Sequence, residues 1–146
     1  MLLSTHFSGE INENMPYFVV ERIGEALNKH GKAIRESKIL ILGVAYKKDI
    51  DDTRESPALK IISSLENRGA VVFYNDPFIH YLNLNGQKLT SSAISNDLLR
   101  SMDCVVIVSD HSVYKLEDIV AQSKLVVDTR NATRNVLQNR QKITRF

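Results

Sequence analysis

The chain has 146 residues, 43% of them hydrophobic, and a formal net charge of +2. That length allows one substantial core, so one compact domain with an appended helix is expected, and the balanced charge lends no support to a nucleic-acid partner. The single cysteine, Cys104, excludes an internal disulfide framework and agrees with a reducing, cytoplasmic setting, and no apolar stretch is long enough to cross a bilayer, so no membrane partner is expected.

Met1 to Glu10 shows no periodicity and lacks the basic region and apolar stretch of a signal peptide, so it reads as a frayed beginning. A helix is predicted next, capped by Asn14, with Pro16 in its first turn and Gly31 at its end. Val19, Ile23, Ala26 and Leu27 recur at helical spacing, while Glu21, Arg22, Glu25 and Lys29 take the other side. Tyr17, Phe18 and Val20 widen the apolar face beyond what one small sheet needs. Two readings stand: the helix packs on its own domain, or its surplus face, with Met15, Phe18 and Val20 exposed, meets another domain or another copy.

Ile39 to Leu42 is an apolar run that predicts a strand buried on both faces. The helix after it is fully punctuated. Ser56 is its N-cap, Pro57 occupies the first turn, Leu59, Ile61, Ile62 and Leu65 form the apolar stripe, and Gly69 follows the last turn. Between the two lies a charged loop holding Lys47, Lys48, Asp49, Asp51, Asp52, Arg54 and Glu55. Val71 to Tyr74 predicts a second strand ending in Asn75-Asp76-Pro77, and Phe78 to Thr90 reads as loop. A helix over Ile94–Met102, a strand over Cys104–Val108, a short helix over Leu116–Ala121 and a strand over Leu125–Val127 complete the alternation. Ala132 to Phe146, with basic side chains and no acidic one, is expected to be an irregular exposed tail.

Strands alternating with helices in this way predict an α/β fold, a Rossmann-like parallel sheet with helices on both faces, preceded by one helix. Each strand runs into polar residues: Tyr46-Lys47, Asn75-Asp76, Ser109-Asp110-His111 and Asp128-Thr129-Arg130. In open parallel sheets the strand carboxyl ends share one edge, where ligands bind. Lys47, Arg54 and Arg130 would offer that edge a point charge and two planar forks for phosphate. The competing reading of Lys47 and Arg54 is a surface ion-pair cluster with the neighbouring carboxylates. No G-x-G-x-x-G or P-loop pattern is present, the histidines lack metal-ligand spacing, and Ser109, Asp110 and His111 are too close in sequence for a relay. Cys104 opens a buried strand and reads as an inert core thiol.

The stretch ILGVAYKKDIDDTRESPALKIISSLENRGAVVFYNDP resembles the C-terminal nucleotide-binding domain of the UDP-glucose/GDP-mannose dehydrogenases. INENMPYFVVERIGEALN is similar to the end of the long helix before that domain, and VVDTRNATRN to its last strand and arginine, with the DTRN ending leaning toward UDP-N-acetylhexosamine 6-dehydrogenases. The resemblance implies oxidation of a sugar C6 alcohol to the carboxylate with NAD. It places Tyr46, Lys47 and Arg130 on the UDP part of the substrate and Arg54 on NAD held by another domain. It also implies that residues 1–31 are a leading segment ending a central dimerisation helix, which would favour self-association through residues 14–30, and that residues 32–146 bind UDP or a UDP-sugar. The family's NAD domain and its catalytic cysteine have no counterpart in this sequence, so the resemblance describes a truncated chain, inactive alone, with no catalytic residue and no tightly bound cofactor. The alternative is a non-enzymatic interaction module that kept the fold and lost the ligand.

Overall fold

Helix α1 spans Ser4–Asn28, β1 Lys38–Leu42, α2 Pro57–Asn67, β2 Val71–Asn75, β3 Tyr81–Leu84 and β4 Gln87–Thr90. They are followed by α3 Asn96–Ser101, β5 Cys104–Ile107, α4 Leu116–Gln122, β6 Val126–Asp128, a 3-10 turn at Arg140–Lys142 and β7 Ile143–Arg145. The computed structural model describes residues 4–45 and 56–146, with side chains described from residue 14 onward. Five strands pair in parallel in the order β2-β1-β5-β6-β7, and β3 with β4 forms a separate antiparallel hairpin.

Near-continuous apolar runs suit strands covered on both sides, and β1, β5 and β6 divide their residues between two cores. Ile39, Ile41, Cys104, Val106, Leu125 and Val127 face α1, α2 and the hairpin residue Leu82. Leu40, Leu42, Val105, Ile107 and Val126 face Leu99 of α3 and Ile119 and Val120 of α4. Helices therefore cover both faces, as the alternation predicts. Helix α2 follows its sequence punctuation closely: the Ser56 hydroxyl accepts from the Ala58 N–H at 3.2 Å, Pro57 opens the helix, and Gly69 takes φ 95° beyond the Arg68 C-cap.

Three expectations are corrected. Helix α1 begins at Ser4, so Asn14 and Pro16 lie inside it and part of the expected frayed beginning is helical. Its buried half anchors it: Val19, Val20, Ile23, Ala26 and Leu27 join the core beneath α2, and once a helix is nucleated each added residue gains a hydrogen bond. Val20 is fully buried and Met15 partly so, leaving Tyr17 and Phe18 as the exposed aromatics, 58% and 51% accessible. Phe78–Thr90 contains the β3–β4 hairpin, joined by Asn85 and Gly86 at φ 53° and 79°, the conformation of a two-residue primed turn. The tail supplies the edge strand β7, with Asp128 opposite Arg145. Only three residues long, with Lys142 before it and Arg145 at its end, it gave no strand pattern; half-buried Ile143 fixes it against the α3–α4 side.

Candidate functional site at the carboxyl edge of the sheet

The carboxyl edge is built on two buried aspartates. Asp76, leaving β2, is 1% exposed and collects donors from three loops. Its Oδ2 accepts from the backbone N–H groups of Val44 at 2.8 Å and Ala45 at 3.0 Å, just beyond β1, and lies 2.9 Å from His111 Nε2, beyond β5. Its Oδ1 accepts from the Phe78 N–H at 2.8 Å. The His111 ring is flanked by Phe78 and Tyr114, with ring centroids at 5.1 and 5.7 Å. Ser109 adds a further link, its hydroxyl donating to the Ala45 carbonyl at 2.9 Å. The carboxylate colours its surroundings: burial and then the charge of Asp76 push the Tyr74 hydroxyl up to about 12. Tyr114 is raised by the same two causes, partly offset by a hydrogen bond with the Gly43 backbone.

Asp128, at the end of β6, works locally. Its Oδ1 accepts from the N–H groups of Arg130 and Ala132, both at 3.0 Å, and its Oδ2 from the Thr133 N–H at 2.8 Å and hydroxyl at 2.6 Å. Burial alone would raise its pKa, but the Thr133 hydroxyl and the three N–H groups outweigh that and hold it below the usual carboxylate range. Asn131 takes the left-handed conformation at φ 56°, which turns the chain back so that three N–H groups converge on one carboxyl. Arg140 closes the turn from outside, its Nη1 donating to the carbonyls of Thr133 at 2.6 Å and Val136 at 2.8 Å. The turn exposes Arg130 at an open cleft of about 590 Å³ lined by Asp128, Thr129, Arg130, Asn131, Arg145 and Phe146. A second cleft of about 340 Å³ lies between the β2 and β5 loops, lined by Asn75, Pro77, Leu99, Val113, Tyr114 and Ile119 among others.

Of the residues expected at the site, Arg130 is placed at the strand edge, on the larger cleft. Tyr46, Lys47 and Arg54 lie outside the described residues. Ser109 and His111 form no relay with Asp110: the serine serves Ala45, and the histidine pairs with Asp76. Burial pushes the Cys104 thiol upward, with Asp103 adding to the effect, in keeping with an inert core residue. Sequence reasoning missed the Asp76–His111 pair and Arg145. The first joins residues 35 apart through topology, and the second depends on an unrecognised strand. Arg54, the residue that the resemblance assigns to NAD, is among those undescribed residues, and no chemistry is routed through NAD on this chain.

Fold and edge together define a doubly wound α/β domain whose strand carboxyl ends carry the polar groups. Residues 40–135 match the UDP binding domain of the UDP-glucose/GDP-mannose dehydrogenase family, and the chain belongs to that family. It is 34% identical over 130 residues to the UDP-N-acetyl-D-mannosamine dehydrogenase of Methanococcus maripaludis, spanning 84% of this chain and 29% of that one. The solved UDP-D-ManNAc dehydrogenase of Pyrococcus horikoshii superposes with a TM-score of 0.69 at 32% identity, over 84% of this chain and 28% of that one. The NDP-N-acetyl-D-galactosaminuronic acid dehydrogenase of Methanosarcina mazei superposes with a TM-score of 0.74 at 25% identity, over 94% and 30%. The chain thus spans less than a third of the length of these relatives.

Proposed function

We propose that this chain holds the uridine diphosphate part of a UDP-sugar at the carboxyl edge of its sheet. On this reading it is the substrate-nucleotide domain of an enzyme that oxidises a sugar C6 alcohol to the carboxylate with NAD. The observation that carries the reading is that the stretch matched to the family's UDP binding domain ends on the turn where Asp128 fixes Arg130 beside an open cleft. Arginine suits this task because its planar fork can take two phosphate oxygens at once. Tyr46 and Lys47 are proposed to act with Arg130 on UDP, and Arg54 to reach NAD held by another domain. Titration with UDP should shift the amide signals of residues 128–131 and raise the melting temperature. No shift and no rise at millimolar UDP would favour the interaction module that kept the fold and lost the ligand.

The 146-residue chain itself should not reduce NAD in the presence of UDP-sugars, since Cys104 is buried with a raised pKa and no dinucleotide fingerprint is present. We further propose that residues 1–31 form the leading helical segment, that residues 32–146 form the nucleotide-sugar domain, and that the protein works in the cytoplasm. Self-association is proposed through the outer face of residues 14–30, where Tyr17 and Phe18 of α1 meet edge to face at 5.6 Å. Sedimentation at tens of micromolar tests it: Phe18→Glu should dissolve the pair, and a wild-type chain that sediments as a clean monomer defeats the proposal.

A further inference from the structure

We infer that Arg145 is a second anion-binding side chain of the same cleft, pairing with Arg130 to hold a diphosphate. The inference deepens the UDP reading and rests on it for the identity of the ligand. Strand β7 brings the residue there: it runs parallel to β6 with Arg145 opposite Asp128, so both strands deliver an arginine to one end of the sheet. The backbone at that point is held from two sides. The Phe146 N–H donates to the Asp128 carbonyl at 3.2 Å, and Arg22 Nη1 of α1 donates to the Arg145 carbonyl at 2.6 Å. The Arg22 guanidinium also lies over the Phe146 ring, 5.5 Å from its centroid. These contacts fix the main chain of Arg145 and leave its side chain at the cleft.

The other arginines nearby are already engaged. Arg22 holds β7 and pairs with Glu25, and Arg140 is spent on two carbonyls of the Asp128 turn. Among the described residues, no ion pair and no side-chain hydrogen bond engages Arg130 or Arg145. Asp128 shares the cleft, but its two oxygens already accept four hydrogen bonds from its own turn. Two unspent guanidinium groups at an opening of about 590 Å³ match an extended dianion better than a single carboxylate. Diphosphate is the class of group this arrangement takes.

The test compares UDP, inorganic pyrophosphate and uridine on the full chain by calorimetry, with Arg145→Gln, Arg145→Lys and Arg130→Gln as variants. Arg145→Gln should weaken UDP and pyrophosphate about tenfold, in line with loss of a charged hydrogen bond, and leave the uridine response and the melting temperature unchanged. Arg145→Lys should recover only part of the affinity, because a point charge lacks the fork. If pyrophosphate binds in an Arg145-dependent way while UDP does not bind at all, the UDP reading falls and the two-arginine site stands. If Arg145→Gln binds pyrophosphate as the wild type does, the inference is overturned, whatever Arg130→Gln does. A wild-type chain indifferent to both anions overturns it as well.

Discussion

Asp76 and Asp128 both leave parallel strands, both are 1% exposed, and both make four hydrogen bonds, yet they do different work. Asp128 spends its charge within its own turn, on residues two, four and five positions ahead. Asp76 spends most of its charge on residues 31, 32 and 35 positions away, in two other loops. A buried carboxylate can therefore shape one turn or cross-link an edge, and its partners decide which. Loss of the first should disturb what its turn presents, whereas loss of the second should loosen the whole carboxyl edge.

Asp76→Ala should break this contrast most severely. It strips the Val44, Ala45 and Phe78 N–H groups and the His111 ring of one acceptor, and buried donors left unmatched cost about 1–3 kcal/mol each. A loss of about 4 kcal/mol is expected in urea unfolding, and a loss under 1 kcal/mol would contradict the cross-linking role. Gly43→Ala should come next, because it attacks the same junction of the β1 and β5 loops. Gly43 sits at φ 89°, and an added Cβ would lie 2.5 Å from the Ser109 Cβ and 2.6 Å from its carbonyl oxygen. Left-handed strain alone costs about 1–2 kcal/mol and the contact with Ser109 adds to it, so a total of about 3 kcal/mol is expected. Wild-type stability in Gly43→Ala would show that the two loops are not rigidly apposed.

Asp128→Asn sharpens the other side of the comparison through pH. The native pKa of Asp128 is depressed, so the stability it supplies is fully present above the unfolded value of about 3.9 and is lost as pH falls from there through the native pKa. Asp128→Asn should cost about 2 kcal/mol near pH 7, since charged acceptors are worth roughly twice neutral ones. The gap between wild type and variant should close below about pH 4, as the wild-type carboxyl takes up its proton. Urea midpoints measured from pH 7 to pH 3 check the sign. A constant gap across that range would mean the hydrogen bonds to Asp128 do not depend on its charge.

The same comparison explains what was legible in the sequence. Apolar runs at Ile39, Val71, Cys104 and Leu125 announced four of the five parallel strands: β1, β5 and β6 are buried almost throughout, and the edge strand β2 still carries an apolar run that is legible locally. Helix α2 was legible to its caps for the same local reason. The Asn85-Gly86 turn is a local hairpin signal, but the residues flanking it alternate too weakly to mark the two strands. Strand β7 could not be read at all, since its pairing with β6 gives Ile143 its role and no periodicity survives in three residues. At the site, Arg130 followed from its place after a strand. The partnership of Asp76 with His111 did not, because only the strand order β2-β1-β5 makes them neighbours.

The smallest effect is expected from Thr133→Val, and it probes what the Asp128 turn is for. Thr133 is fully buried, and its hydroxyl donates to Asp128 Oδ2 at 2.6 Å. Valine nearly keeps the shape and removes that hydrogen bond, so stability should fall by about 1 kcal/mol. If the turn serves to aim Arg130, UDP affinity should also fall, by about threefold, corresponding to about 0.65 kcal/mol. A purely structural loosening can produce the same single-variant numbers, so a double-mutant cycle has to separate the two. In an Arg130→Gln background the affected side chain is gone, and Thr133→Val should then change UDP affinity no further while still lowering stability. Additive losses of affinity in the double variant would mean that Thr133 acts on the cleft by another route, and the Asp128 turn would no longer count as a positioning device for Arg130.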